Sequence, residues 1–257
     1  MSFGLIALLA GLAWFGLMLA ASEGGWRIGH ARLARHSGLA KGAGSAEAAT
    51  FALFGLLVAF TFSGAASRFM DRRGLVQEEA NAIGTAYLRL DLLPSDVQPS
   101  VRDLFRKYVD TRYEVYRRAS DSAFTEAKIA ETAAIQTSIW NSASAAVQRP
   151  GTPASTPTLV LVALNEMIDI TGTRQMTTQN HPPLIVFVLL GGFSLMCSLL
   201  VGYATSQNPT RSWLHTLTFA AVVTLTVYVI IDIEFPRFGL IRVDAADAVL
   251  LELRETM

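Results

Sequence analysis

One cysteine, Cys197, occurs in 257 residues. A single thiol excludes an internal disulfide framework and any zinc site built on several cysteines. Charge is scarce as well: Asp, Glu, Lys and Arg make up 16% of the chain, against roughly 25% in an ordinary soluble domain. The 21 basic and 21 acidic residues cancel, so no net field draws the chain to nucleic acid. A Gly-rich phosphate loop, a Gly-x-Ser-x-Gly elbow and a His-Glu-x-x-His pair are all missing. Those short motifs serve phosphate binding, acyl transfer and metal hydrolysis. The sequence therefore carries no signature of an enzyme, and no cofactor or metal is expected.

What is plentiful is apolar. Hydrophobic residues reach 51% and the mean hydropathy is +0.37. Residues 1–22, 48–67, 175–210 and 212–231 contain no Asp, Glu, Lys or Arg. A helix crossing a bilayer needs about 20 apolar residues, so spans are expected at about 3–21, 48–67, 184–204 and 213–232. The expected fold is an all-α membrane protein: four transmembrane helices in a 2+2 order, with a helical polar domain between the pairs. This divides the chain into 1–67, 68–183, 184–235 and an amphipathic C-terminal segment, 236–257. The first run lacks a preceding Lys or Arg, so it reads as a retained span rather than a cleaved signal. Arg27, Arg32, Arg35 and Lys41 in the first loop and Arg211 in the third favour a cytoplasmic side for both loops, with the termini outside. A multi-pass protein of the bacterial inner membrane is expected, its first partner being the lipid bilayer.

The polar segment, 68–183, has equal numbers of acidic and basic residues. Pro94 ends its first helix. Ser95 and Gln98 have capping-box spacing, and Val101, Leu104, Phe105, Tyr108, Val115 and Tyr116 form the next helix's apolar stripe. A third helix is expected over about 121–147, a Pro-rich connection over 149–157, and a fourth helix over about 158–178. His181-Pro182-Pro183 breaks the chain at the membrane.

No proline occurs between Thr50 and Leu93, so the second span and the helix after it read as one rod of about 66 Å. At 100° per residue, Thr50, Phe54, Leu57, Thr61, Arg68 and Arg72 share one band, which Glu79 and Ala86 extend. In an oligomer this band suits a pore, with Phe54 and Leu57 as a hydrophobic constriction and Arg68 and Arg72 as a cationic ring. Its plainer role is anchoring, with both arginines at the membrane boundary. Glu78, Asn81 and Thr85 lie on a different face. Pairing of Glu78 or Glu79 with Arg72 or Arg73, and of Arg89 with a nearby acid, is the simplest use of these charges.

Two further groups stand out. Asn165, Glu166 and Asp169 suit either a hard-cation site or a buried hydrogen-bonding hub between helices. Asp232 and Glu234 end the fourth span, with Arg237 and Arg68 as candidate partners for Asp232. His181 can titrate near neutrality or act as a structural cap. Gly4, Gly11, Gly191, Gly192 and Gly202 allow close helix approach and fit a homo-oligomer.

Ala59-Phe-Thr-Phe-Ser-Gly64, then Arg68, Arg72-Arg73 and Glu78-Glu-Ala-Asn-Ala-Ile-Gly-Thr-Ala86, resemble the hallmark of the bestrophin-like family of bacterial membrane proteins. Leu164-Asn-Glu-Met-Ile-Asp169, Asn180-His-Pro182, Asp232, Pro236, Gly239 and Leu240-Ile-Arg-Val243 extend the resemblance over nearly the whole chain. It implies four spans with a helical domain between the pairs. More distantly it resembles the bestrophins, pentameric anion channels whose pore is lined by the second span and its extension. The second span here lacks the proline of a bestrophin neck, and no acidic cluster resembles the bestrophin calcium clasp. Two functions are therefore expected: a homo-oligomeric ion channel or pore lined by the second span, or a non-conducting structural or accessory protein whose helical domain docks a membrane protein partner.

Overall fold

The structure, a computed structural model, describes residues 3–33, 43–117, 121–206, 208, 212–236, 240–241 and 244–257. Arg35, Lys41, Arg211, Arg237, Gly239, Arg242 and Val243 lie outside these. The protein is all-α, with no strand among the described residues. The helices are α1 (Phe3–Leu33), α2 (Ala43–Leu88), α3 (Gln98–Arg117), α4 (Ser122–Val147), α5 (Thr156–Gln179), α6 (Leu184–Thr205), α7 (Trp213–Glu234) and α8 (Asp244–Glu255). Among the described residues, four apolar helices are long enough to cross a membrane. The second span and its extension form one helix of 46 residues, α2, closed by a 3₁₀ turn over Arg89–Leu92.

Two compact units interleave along the chain: Met1–Ser67 with His181–Ile241, and Arg68–Asn180 with Arg242–Met257. The first unit holds the apolar spans. Its tightest contact is α1 against α6, and the sequence makes that contact with glycine. A Cβ on Gly202 would lie 1.8 Å from the Ser22 carbonyl oxygen, and one on Gly25 1.9 Å from that of Leu199. Ser198 Oγ donates to Met18 O at 2.7 Å across the same seam. Small residues let two backbones approach and exchange polar contacts where lipid offers none. Gly11 and Gly191 also face neighbours in this unit, Tyr228 and Trp14. The small residues expected to join one copy to another thus pack spans within a chain at Gly11, Gly191 and Gly202.

The second unit has a water-type core. Ile83, Leu90, Phe105, Tyr108, Ile139 and Met167 are fully buried, and Leu250 of α8 joins them. The apolar stripe read on α3 is this core face. Asp121 caps α4 by accepting from Phe124 N at 3.1 Å. The expected capping box at Ser95 is replaced by another device. Gln98 Nε2 reaches back to the carbonyls of Leu93, at 2.8 Å, and Asp91, closing the turn after α2 rather than the start of α3.

Candidate functional site: the second helix and its buried charges

Each half of α2 turns one face to its own unit. In the first unit Phe54 is buried, and Thr50, Leu57 and Thr61 are half-buried. Phe51 meets Phe219 of α7 edge-on, with ring centroids 6.0 Å apart. The threonine hydroxyls are satisfied by their own helix, Thr50 Oγ1 donating to Ala46 O and Thr61 Oγ1 to Leu57 O. Beside this band on the helix, Leu53, Leu56, Phe60, Ser63 and Ser67 are exposed. Steps of three and four residues make these one stripe. Of the band read from the sequence, Phe54 is the member the first unit covers most fully.

In the second unit Arg72 is 6% exposed. Its guanidinium donates to Asn180 O at 3.1 Å and Thr177 O at 3.5 Å. These are carbonyls at the end of α5, where a cation complements both orphan acceptors and the helix dipole. Arg72 thus fastens α5 to α2, and Arg68 is half-buried.

Glu79 does not pair with Arg72 or Arg73. Its fully buried carboxylate accepts from Arg112 of α3 and Arg174 of α5, and Arg174 also donates to Asp247 of α8. Two carboxylates balance two guanidiniums, all four side chains nearly inaccessible to water. The Tyr116 ring lies 3.5 Å from the Arg174 guanidinium carbon and its hydroxyl accepts from Arg112. Burial works to strip the proton from Arg112, but Tyr116 and Glu79 outweigh it and hold the charge more firmly than usual. Burial pushes the Tyr108 phenol upward, so it stays neutral. The network joins α2, α3, α5 and α8 through groups that cannot be left unpaired.

Glu78 and Asn81 are exposed, Asn81 accepting from Gln77 at 3.2 Å. Arg89 donates to the Leu159 carbonyl at 2.6 Å rather than to an acid. Asn165, Glu166 and Asp169 are exposed as well. They form no buried hub, because Val160, Ala163, Leu164 and Met167 take the inward positions of α5.

At the end of α7, Asp232 is 5% exposed. Its carboxylate accepts from the amides of Leu240, at 2.9 Å, and Ile241, at 2.8 Å. It is a loop cap, while its expected partner Arg237 lies outside the described residues. Glu234 is buried and meets His181 Nδ1 at 2.9 Å, with the imidazole stacked on Phe235. Replacing Asp232 by Ala orphans two amides, a cost of about 1–3 kcal/mol. The expected result is faster proteolysis within 235–241 and a lower Tm in detergent. Unchanged cleavage would remove the capping role.

Sequence reading missed Arg112, Arg174 and Asp247. The signal was there: Arg112 falls on the apolar stripe of α3, four residues from both Tyr108 and Tyr116. A cation at a core position calls for a buried carboxylate.

An all-α membrane protein with four apolar spans and a helical polar unit is the class this geometry defines. The chain belongs to the family of the Bestrophin-like domain, which matches residues 43–248. No curated protein matches it. Among solved structures it is similar to a tryptophan-to-alanine variant of a bacterial bestrophin homologue from Klebsiella pneumoniae, at 14% identity, with 97% of this chain and 98% of that chain covered and a TM-score of 0.71. A tyrosine-to-alanine variant of a bacterial bestrophin homologue from the same organism aligns at 16% identity over 95% and 99%, with a TM-score of 0.62. A structure described as a membrane protein, a leucine-to-alanine variant, aligns at 15% identity over 95% and 98%, with a TM-score of 0.67.

Proposed function

We propose that this chain assembles as a homo-oligomer, a pentamer on the family resemblance, and conducts ions across the bacterial inner membrane. The path is lined by the membrane half of α2. The observation that carries this reading is the uncovered stripe of that half: Leu53, Leu56 and Phe60 are exposed, followed by Ser63 and Ser67. Around a symmetry axis such a stripe presents an apolar constriction and then a ring of hydroxyls, a combination that gates by dewetting. Phe54, Leu57 and Thr61 flank this stripe, with Phe54 packed into the first unit.

Phe60→Ala is expected to raise ion flux into liposomes several-fold, because a smaller side chain admits water to the constriction. Phe54→Ala should act through stability instead, leaving flux per folded protein near that of the parent. A parent and variants that pass no ions would overturn the channel and favour a structural or accessory protein. Flux sensitive to Phe54 and indifferent to Phe60 would return the path to the inward face.

A further inference from the structure

Among α1, α6 and α7 the first unit holds a cavity of about 370 Å³, within the range of roughly 300–1,000 Å³ usual for small-molecule sites. Small residues open it: Ala7, Ala10 and Gly11 on α1 and Gly191 on α6. Aromatic rings make much of the wall: Trp14 of α1, Phe187 of α6, Tyr228 of α7 and Phe235 just beyond it. A cavity with such walls does not hold water.

Its polar groups are few. Thr224, Tyr228 and Asp232 line it at steps of four along α7. Asp232 spends its carboxylate on the amides of Leu240 and Ile241. Trp14 Nε1 and Thr224 Oγ1 are buried and have no hydrogen-bond partner among the described residues. Thr50, Thr61 and Thr226, also on apolar spans, each donate to a carbonyl of their own helix. An indole only donates and a hydroxyl can donate, so the group that completes this wall is a neutral acceptor. Thr224 stands midway along α7, where a bilayer supplies neither water nor lipid headgroups. A lipid chain at that level brings only methylenes.

We propose that the cavity binds the ring of a quinone dissolved in the bilayer. A flat conjugated ring stacks on the aromatic wall. One ring carbonyl accepts from Trp14 Nε1 and from Thr224, whose hydroxyl reaches the cavity by a turn about χ1. The opposite carbonyl lies toward Tyr228, about 6 Å further along α7. The apolar tail leaves between the spans. This site needs neither the pore nor assembly, and the quinone is bound without being reduced.

The test uses the full chain in mild detergent, titrated with a short-tailed benzoquinone. Quinones quench indole emission on contact, and the chain has four tryptophans. Saturable loss of part of the emission is expected, and Trp14→Phe should abolish that loss. Thr224→Val keeps the shape and removes a donor, so it should weaken binding about tenfold. Ala7→Phe, which places a ring in the cavity, should block it. An alkylbenzene with the same tail lacks both carbonyls and should compete at least about tenfold more weakly, and added phosphatidylglycerol should not displace the quinone. The competition measurements use the parent, so they stand even where a variant fails to fold. Absence of saturable quenching, or quenching that survives Trp14→Phe, would overturn the site. Equal competition by the alkylbenzene, or displacement by the phospholipid, would assign the cavity to any apolar chain and overturn the quinone.

Discussion

Glu79→Ala should unfold the second unit under conditions in which the parent is stable. The substitution leaves Arg112 and Arg174 buried with one carboxylate, Asp247, between them. Breaking a buried ion pair from one side costs about 3–5 kcal/mol, because the surviving charge is stranded. At roughly 2–4 °C per kcal/mol for a domain of this size, the Tm should fall by about 10 °C. Glu79→Gln should do nearly as badly: shape is kept, but neither guanidinium is neutralised. Far-ultraviolet circular dichroism melts of the purified protein give the answer. A Tm within a degree or two of the parent would mean that water reaches Arg112 and Arg174 and that the network is not closed.

Gly202→Ala is the second large effect. The added methyl would sit 1.8 Å from the Ser22 carbonyl oxygen and 2.9 Å from its Cα. The obstruction is backbone, which cannot rotate away as a side chain can. Overpacking usually costs about 1–3 kcal/mol, and α6 here must withdraw along its whole seam with α1, also breaking the bond from Ser198 to Met18. Folded yield from membranes should collapse. Gly192, ten residues earlier on the same helix, has open space at that position. Gly192→Ala should be neutral or slightly stabilising, by up to about 1 kcal/mol from helix propensity. Equal behaviour of the two variants would show that α1 and α6 are not in close contact.

The spans, the break at Pro182 and the continuity of α2 were legible in the sequence because each rests on a local rule: run length, the missing donor of proline, and an unbroken helical pattern. The core of the second unit was legible for the same reason, since the polar residues of α3 leave one apolar stripe to bury. The direction of the α2 face was not. In a soluble helix the apolar side faces in, but lipid is as apolar as a core. Phe54 and Phe60 are chemically identical, yet one is buried and the other exposed. The charged residues failed in another way. Arg72, Arg112 and Arg174 find partners 33 to 108 residues away in the chain, and helical spacing reports only on neighbours three or four apart. Asp232 was found as a residue at the end of a span, but its partners are backbone amides, which every residue type offers alike.

The placement of α8 governs how this protein can be made. During translation the unit beginning at Arg68 stays incomplete until both later spans have been synthesised and Asp247 has left the ribosome to meet Arg174. Until then a buried arginine shares one carboxylate with another, and Leu250 is missing from the core. The nascent domain must wait, partly open, through the insertion of α6 and α7. Tyr87 Oη and Arg106 then close on the Met257 carbonyl. A nascent chain ending at Glu234 would therefore present a second unit that still lacks Asp247 and Leu250 and stays sensitive to protease.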